Sequence, residues 1–163
     1  MSVTVFTGED LEAAKLTAVA WVVDGYEKDK RKVYSSIKLY GIEYEQVSGA
    51  VVLDDGLHNA HVIMVVDHPM SKMMKLAHMM YYQSRKRKLD LALVLKYKDK
   101  SLLSICDKRY DCRMIKEGKR VECHITGKDS RTMDIEYDSE KYLPYIQSDL
   151  QAALKALYPI KAK

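Results

Sequence analysis

Six side chains able to bind a metal or move a proton fall between positions 54 and 68: Asp54, Asp55, His58, His61, Asp67 and His68. Carboxylates and imidazoles ligate hydrolytic metals and serve as general acids and bases. The run 61–67, HVIMVVD, has the composition of a strand. A strand of that length holds its ends about 20 Å apart at about 3.3 Å per residue, which puts Asp67 and His68 out of reach of the others. Asp54, Asp55, His58 and His61 remain together in one loop as weak catalytic candidates for a small hydrolase. The same residue types are those that ordinary turns require.

A second concentration is CDKRYDCRMIKEGKRVECH, residues 106–124, with three cysteines and one histidine. A two-residue loop at Glu117-Gly118 would set Cys112 opposite Cys123, Met114 opposite Val121 and Tyr110 opposite Ile125. The other face would then pair Arg113 with Glu122 and Asp111 with His124. This register makes one face apolar and the other charge-complementary, and a one-residue slip would destroy both. Cys123 and His124 are adjacent, so a strand points them to opposite faces and they cannot share a tetrahedral ion. The segment therefore reads as a structural hairpin, and neither a metal nor a cofactor is expected. An odd number of cysteines, with no basic leader running into an apolar segment, predicts reduced thiols and a cytoplasmic location.

Motifs for other chemistries fail. ITGKDS (125–130) has the Gly-Lys of a phosphate loop, but Glu122 stands where the motif needs its first glycine. No G-x-S-x-G, H-E-x-x-H, C-x-x-C or G-x-G-x-x-G occurs. An enzyme is not the expected reading.

Charge offers a different chemistry. Residues 69–131 hold 17 Lys and Arg against 7 Asp and Glu, while the whole chain is only +4. Such asymmetry attracts polyanions, although lysines also keep strand surfaces solvated. KDKRK (28–32) leads into a segment carrying Tyr34, Lys38 and Tyr40, and SRKRK (84–88) places four consecutive cations at a predicted helix end. Aromatic rings between cations can stack bases while the cations neutralise phosphates. The candidate nucleic-acid-binding residues are Arg31, Lys32, Tyr34, Lys38, Tyr40, Arg85, Lys86, Arg87 and Lys88.

The elements that must position these groups follow from periodicity. Thr7 as N-cap and the Asp24-Gly25 stop predict a helix over about 8–24. Alternation predicts strands near 33–39, 61–67 and 89–97, then a meander at 110–116, 119–126 and 131–137. A methionine stripe from Met70 to Tyr81 and an apolar stripe from Tyr145 to Leu157 predict two further helices. Short turns between strands predict an α+β fold: a mostly antiparallel sheet in two strand clusters, the second a meander, with about three helices packed on it. One domain over 1–163 is expected, with a subdivision near 87/88 as the alternative. No apolar run approaches the ~20 residues a bilayer needs. Nucleic acid is the expected partner. The alternative is a protein-interaction module, an adaptor or inhibitor using the Met-rich or C-terminal helix, with a homodimer allowed.

Overall fold

The computed structural model describes residues 2–8, 11–47, 57–66, 82–95 and 106–146. The methionine stripe, most of the C-terminal apolar stripe and the acids Asp54, Asp55 and Asp67 lie outside these residues.

Eight strands form one sheet in the order β3-β2-β4-β5-β1-β6-β7-β8. They are β1 (Ser2–Gly8), β2 (Lys32–Ser35), β3 (Glu45–Gln46), β4 (Ala60–Val66), β5 (Leu89–Leu95), β6 (Lys108–Ile115), β7 (Arg120–Gly127) and β8 (Thr132–Asp138). The sheet is mixed and mostly parallel, which corrects the expected antiparallel architecture. Five of its seven pairings are parallel, and only β6-β7-β8 form an antiparallel meander. Strands from both sides of position 88 pair within this one sheet, β1 lying between β5 and β6.

The reason lies in β4 and β5. Parallel strands covered on both faces read as nearly continuous apolar runs. In β5 the residues Leu89, Leu91, Leu93 and Leu95 enter one core cluster, while Ala92 and Val94 enter the cluster beneath the helix. Its alternation of leucines with smaller apolar residues thus marks two buried faces.

The helix α1 runs Leu11–Asp29, later than expected at both ends. Thr7 is buried inside β1, where its hydroxyl donates to the Tyr110 carbonyl at 3.3 Å and to the Asp111 carboxylate. The Asp24-Gly25 stop is passed over because the glycine serves packing: a Cβ on Gly25 would stand 2.7 Å from His61 Cε1. The helix ends instead at Lys30, whose φ of 57° is left-handed and whose amide donates to the Tyr26 carbonyl at 2.8 Å. Helix α1 packs on one sheet face, burying Ala14, Ala18, Val19 and Val22 against Phe6, Ile63 and Val94.

The hairpin register matches expectation residue for residue. Cys112 faces Cys123, Met114 faces Val121, Tyr110 faces Ile125, Arg113 faces Glu122 and Asp111 faces His124. Both loop residues have positive φ, 58° at Glu117 and 83° at Gly118, as a primed hairpin turn requires. Cys112 and Cys123 are buried beneath α1 as free thiols with their sulfurs 3.6 Å apart. The hydrogen bond to Cys123, together with burial, pushes the Cys112 thiol well above its ordinary range. His124 points away from them and meets Asp134 at 2.6 Å. Among the described residues no three potential ligands are grouped to hold a metal ion, and no helix is long and apolar enough to cross a membrane.

Candidate nucleic-acid interface

In a parallel sheet all strands begin at one end. Lys32 pairs with Ala60, Ala60 with Leu89, and Ser2 with Asp90, so the segments leading into β2, β4, β5 and β1 gather there. The two basic runs precede β2 and β5. Their meeting therefore follows from sheet order, although Arg31 and Lys88 are 57 residues apart.

Arg31 makes the junction. Its Nη1 donates to the Lys88 carbonyl at 3.2 Å, its Nε to Asp29 Oδ2 at 2.9 Å, and its Nη2 to the Asp90 carboxylate. The side chains of Arg31 and Asp90 are only 18% and 13% exposed. Ser2 completes the acid's shell, donating to Asp90 Oδ1 at 3.0 Å. Asp29 is shared further: the Arg31 amide donates to Oδ1 at 2.9 Å, and His61 Nε2 lies 2.9 and 3.0 Å from its two oxygens. Desolvation alone would raise the Asp29 carboxyl. The bonds from the Arg31 amide, His61 and the Arg31 guanidinium outweigh it and hold this carboxyl well below the usual carboxylate range. Asp90 is shifted in the same direction, desolvation being outweighed by Arg31 and Ser2 among its partners.

A second hub extends the edge past β1. The Val3 amide donates to Asp107 Oδ2 at 2.8 Å, and the Asp107 amide returns a bond of 2.8 Å to the Val3 carbonyl. Arg85 Nη2 lies 2.8 Å and Lys128 Nζ 4.0 Å from Asp107 Oδ1. The β5 approach and the β7–β8 turn thereby join the same edge. Exposed cations follow one another along it: Lys28, Lys30, Lys32, Arg85, Lys86, Lys88, Lys108, Lys128 and Arg131. From β2 to β7 the edge crosses five inter-strand gaps, about 24 Å at about 4.8 Å each.

The candidate residues do not all belong here. Arg31 is committed to structural partners, and Arg87 is only 7% exposed. Lys32 is exposed, pairs with Glu45 at 2.9 Å and lies over the Tyr34 ring. Tyr34 itself is half-buried against the core. Lys38 and Tyr40 lie in the segment between β2 and β3, where the Tyr40 amide donates to the Tyr145 carbonyl. The structure thus brings Arg31, Lys32 and Arg85–Lys88 to one edge, while Lys38 and Tyr40 lie in the crossover from β2 to β3. Lys30, Lys108 and Lys128 were missed as individuals, although the last two lie within the strongly basic 69–131 segment. Tyr82 was also missed, being hidden at the tail of the methionine stripe. It is 61% exposed, with Lys86 Nζ 6.0 Å from its ring centre.

The hydrolase candidates fare differently. His58 is exposed beside this edge. His61 is 3% exposed, its Nε2 is taken by Asp29, and its Nδ1 is buried without a hydrogen-bond partner among the described residues. In this position His61 locks α1 to β4.

Three hollows lie near the basic residues. One of about 470 Å3 lies beside the end of α1, where the Tyr142 hydroxyl donates to Asp24 at 3.0 Å and Lys141 covers the Tyr142 ring. A second, about 430 Å3, is lined by Lys30 and Lys32 together with the acids Glu43 and Glu45. The third, about 340 Å3, is lined by His58, Gln83, Lys86 and Arg87. No known family model matches the chain, and no curated protein matches it.

Proposed function

We propose that this chain is a non-enzymatic binding protein that grips nucleic acid by its phosphates along the edge where the parallel strands begin, with little sequence readout. The observation that carries the reading is the Arg31–Lys88 contact, which makes one surface of two basic runs far apart in sequence. The exposed cations Lys30, Lys32, Arg85, Lys86, Lys88, Lys108 and Lys128 supply the charge, and Tyr82 offers a ring for base stacking. Arg31 acts as the positioning residue. At about 3.4 Å of axial rise per phosphate on one strand, an edge of about 24 Å runs alongside about seven phosphates. The proposed contacts are to phosphates, so affinity resides in counterion release.

Fluorescence anisotropy with labelled single- and double-stranded oligonucleotides tests this. A grip on about four to six phosphates is expected to lose about 10²–10³-fold in affinity between 50 and 200 mM salt. An affinity that does not change with salt, or no binding at low salt, refutes the proposal.

A protein partner is the second reading, favoured by β8. This edge strand leaves Met133 58% exposed, and an open strand edge can receive an extended segment from another chain.

A further inference from the structure

The hollow of about 430 Å3 sits at the corner of the sheet where the basic edge begins. The last turn of α1 supplies Tyr26, with Lys30 just after it, and β2 supplies Lys32. Glu43 and Tyr44 lead into Glu45 of β3, the outermost strand. We propose that this hollow receives an unpaired guanine, so that the nucleic acid gripped along the edge is single-stranded. The inference rests on the phosphate-gripping reading and deepens it by naming one base position.

Charge separates this hollow from a phosphate site. Two lysines and two glutamates line it, so the lining carries no net charge. Such a lining offers a phosphate no net attraction. A neutral planar base, which bears donors and acceptors, finds partners of both kinds there.

Lys32 and Glu45 pair with each other at 2.9 Å. Lys30, Glu43 and the two rings remain. Lys30 Nζ stands 5.0 Å from the centre of the Tyr26 ring, which holds the ammonium beside the hollow. Glu43 is exposed and makes no hydrogen bond or ion pair among the described residues. Tyr44 makes no ring or cation contact among them. Both tyrosines pack against the core cluster beneath α1, so their rings are held from behind.

These groups match one base. Guanine presents two adjacent donors, N1–H and its N2 amino group, beside the acceptor O6. The other three bases present no two neighbouring donors on that edge. A carboxylate offers two acceptors side by side and takes such a pair as it takes a guanidinium. Glu43 supplies that carboxylate, Lys30 donates to O6, and the Tyr44 ring stacks on the purine. In a duplex the same base atoms are engaged in pairing, which restricts the hollow to unpaired strands.

The test compares a short thymidine strand with the same strand carrying one guanine, or one inosine in its place. The guanine strand is expected to bind about tenfold tighter than thymidine alone, a discrimination that one bidentate pair supplies. Inosine, which lacks the N2 amino group, should lose most of that gain, and duplexes with and without the guanine should bind alike. Glu43→Gln, at an exposed position, should bring guanine and thymidine strands within about twofold of each other while thermal unfolding stays unchanged. Tyr44→Phe should keep the preference and Tyr44→Leu should lose it. Equal affinity for guanine and thymidine strands, with salt-sensitive binding intact, overturns this inference alone, as does a guanine preference that survives Glu43→Gln. GMP binding that Glu43→Gln abolishes, without any oligonucleotide binding, supports the hollow and overturns the wider edge. No binding of either kind overturns both.

Discussion

Replacing Arg31 by leucine is expected to destabilise the fold by about 2 kcal/mol, below the about 3–5 kcal/mol for removing one partner of a fully buried ion pair, because both acids keep other partners. The change removes one partner of Asp90, 13% exposed, which keeps the Ser2 hydroxyl and its other partners, and withdraws the donor from the Lys88 carbonyl. It also strips one contact from Asp29, which keeps the bond from the residue-31 amide and the contact with His61. Lys32→Ala provides the contrast. Its pair with Glu45 is 60% and 58% exposed, and such surface pairs contribute about 0–1 kcal/mol. Urea unfolding of the two variants separates them, and equal midpoints would show that Arg31 is not the junction of the edge. Acid provides a second view of the same cluster. A carboxyl with a folded pKa below its unfolded value contributes stability that is complete above the unfolded value, about 3.9, and lost as pH falls toward the folded one. Wild-type stability is therefore expected to fall below about pH 4, and Asp29→Asn should flatten that decline.

The larger functional effect is expected from reversing charge on the basic edge. Lys30→Glu, Lys86→Glu and Lys88→Glu together should lower oligonucleotide affinity by at least about 10²-fold at moderate salt and reduce the salt slope by about three. All three residues are exposed, so the fold should tolerate the change. Lys116→Glu, in the β6–β7 turn at the far end of the strands, should leave affinity within about twofold at moderate salt, because exposed charges more than about 10 Å apart are largely screened. Equal losses in the two variants would mean that general net charge, rather than this edge, holds the ligand.

What was legible in the sequence was local. The β6–β7 hairpin could be paired from charge and apolarity alone because its partners lie within twenty residues and only one register satisfies both faces. β4 and β5 were recognisable as strands, but nothing in HVIMVV or LDLALVL names a neighbour. Parallel partners are joined by long crossovers, as with Ser2 and Asp90, which are 88 residues apart. Assuming short turns between them produced the antiparallel expectation. Gly25 misled for a related reason: its role is to admit the His61 ring, a contact from the distant strand β4. The basic runs were visible as composition, but their convergence depends on sheet order.

The central claim is that ligand lies along the edge where the parallel strands begin, and lysine footprinting reads it directly. The protein is acetylated with and without a saturating oligonucleotide, and each lysine is quantified by mass spectrometry. Protection of Lys30, Lys86 and Lys88, with Lys116 and Lys119 in the β6–β7 turn unchanged, is the expected result. Full binding with those three lysines as reactive as in the free protein, or protection centred on Lys116, would contradict it.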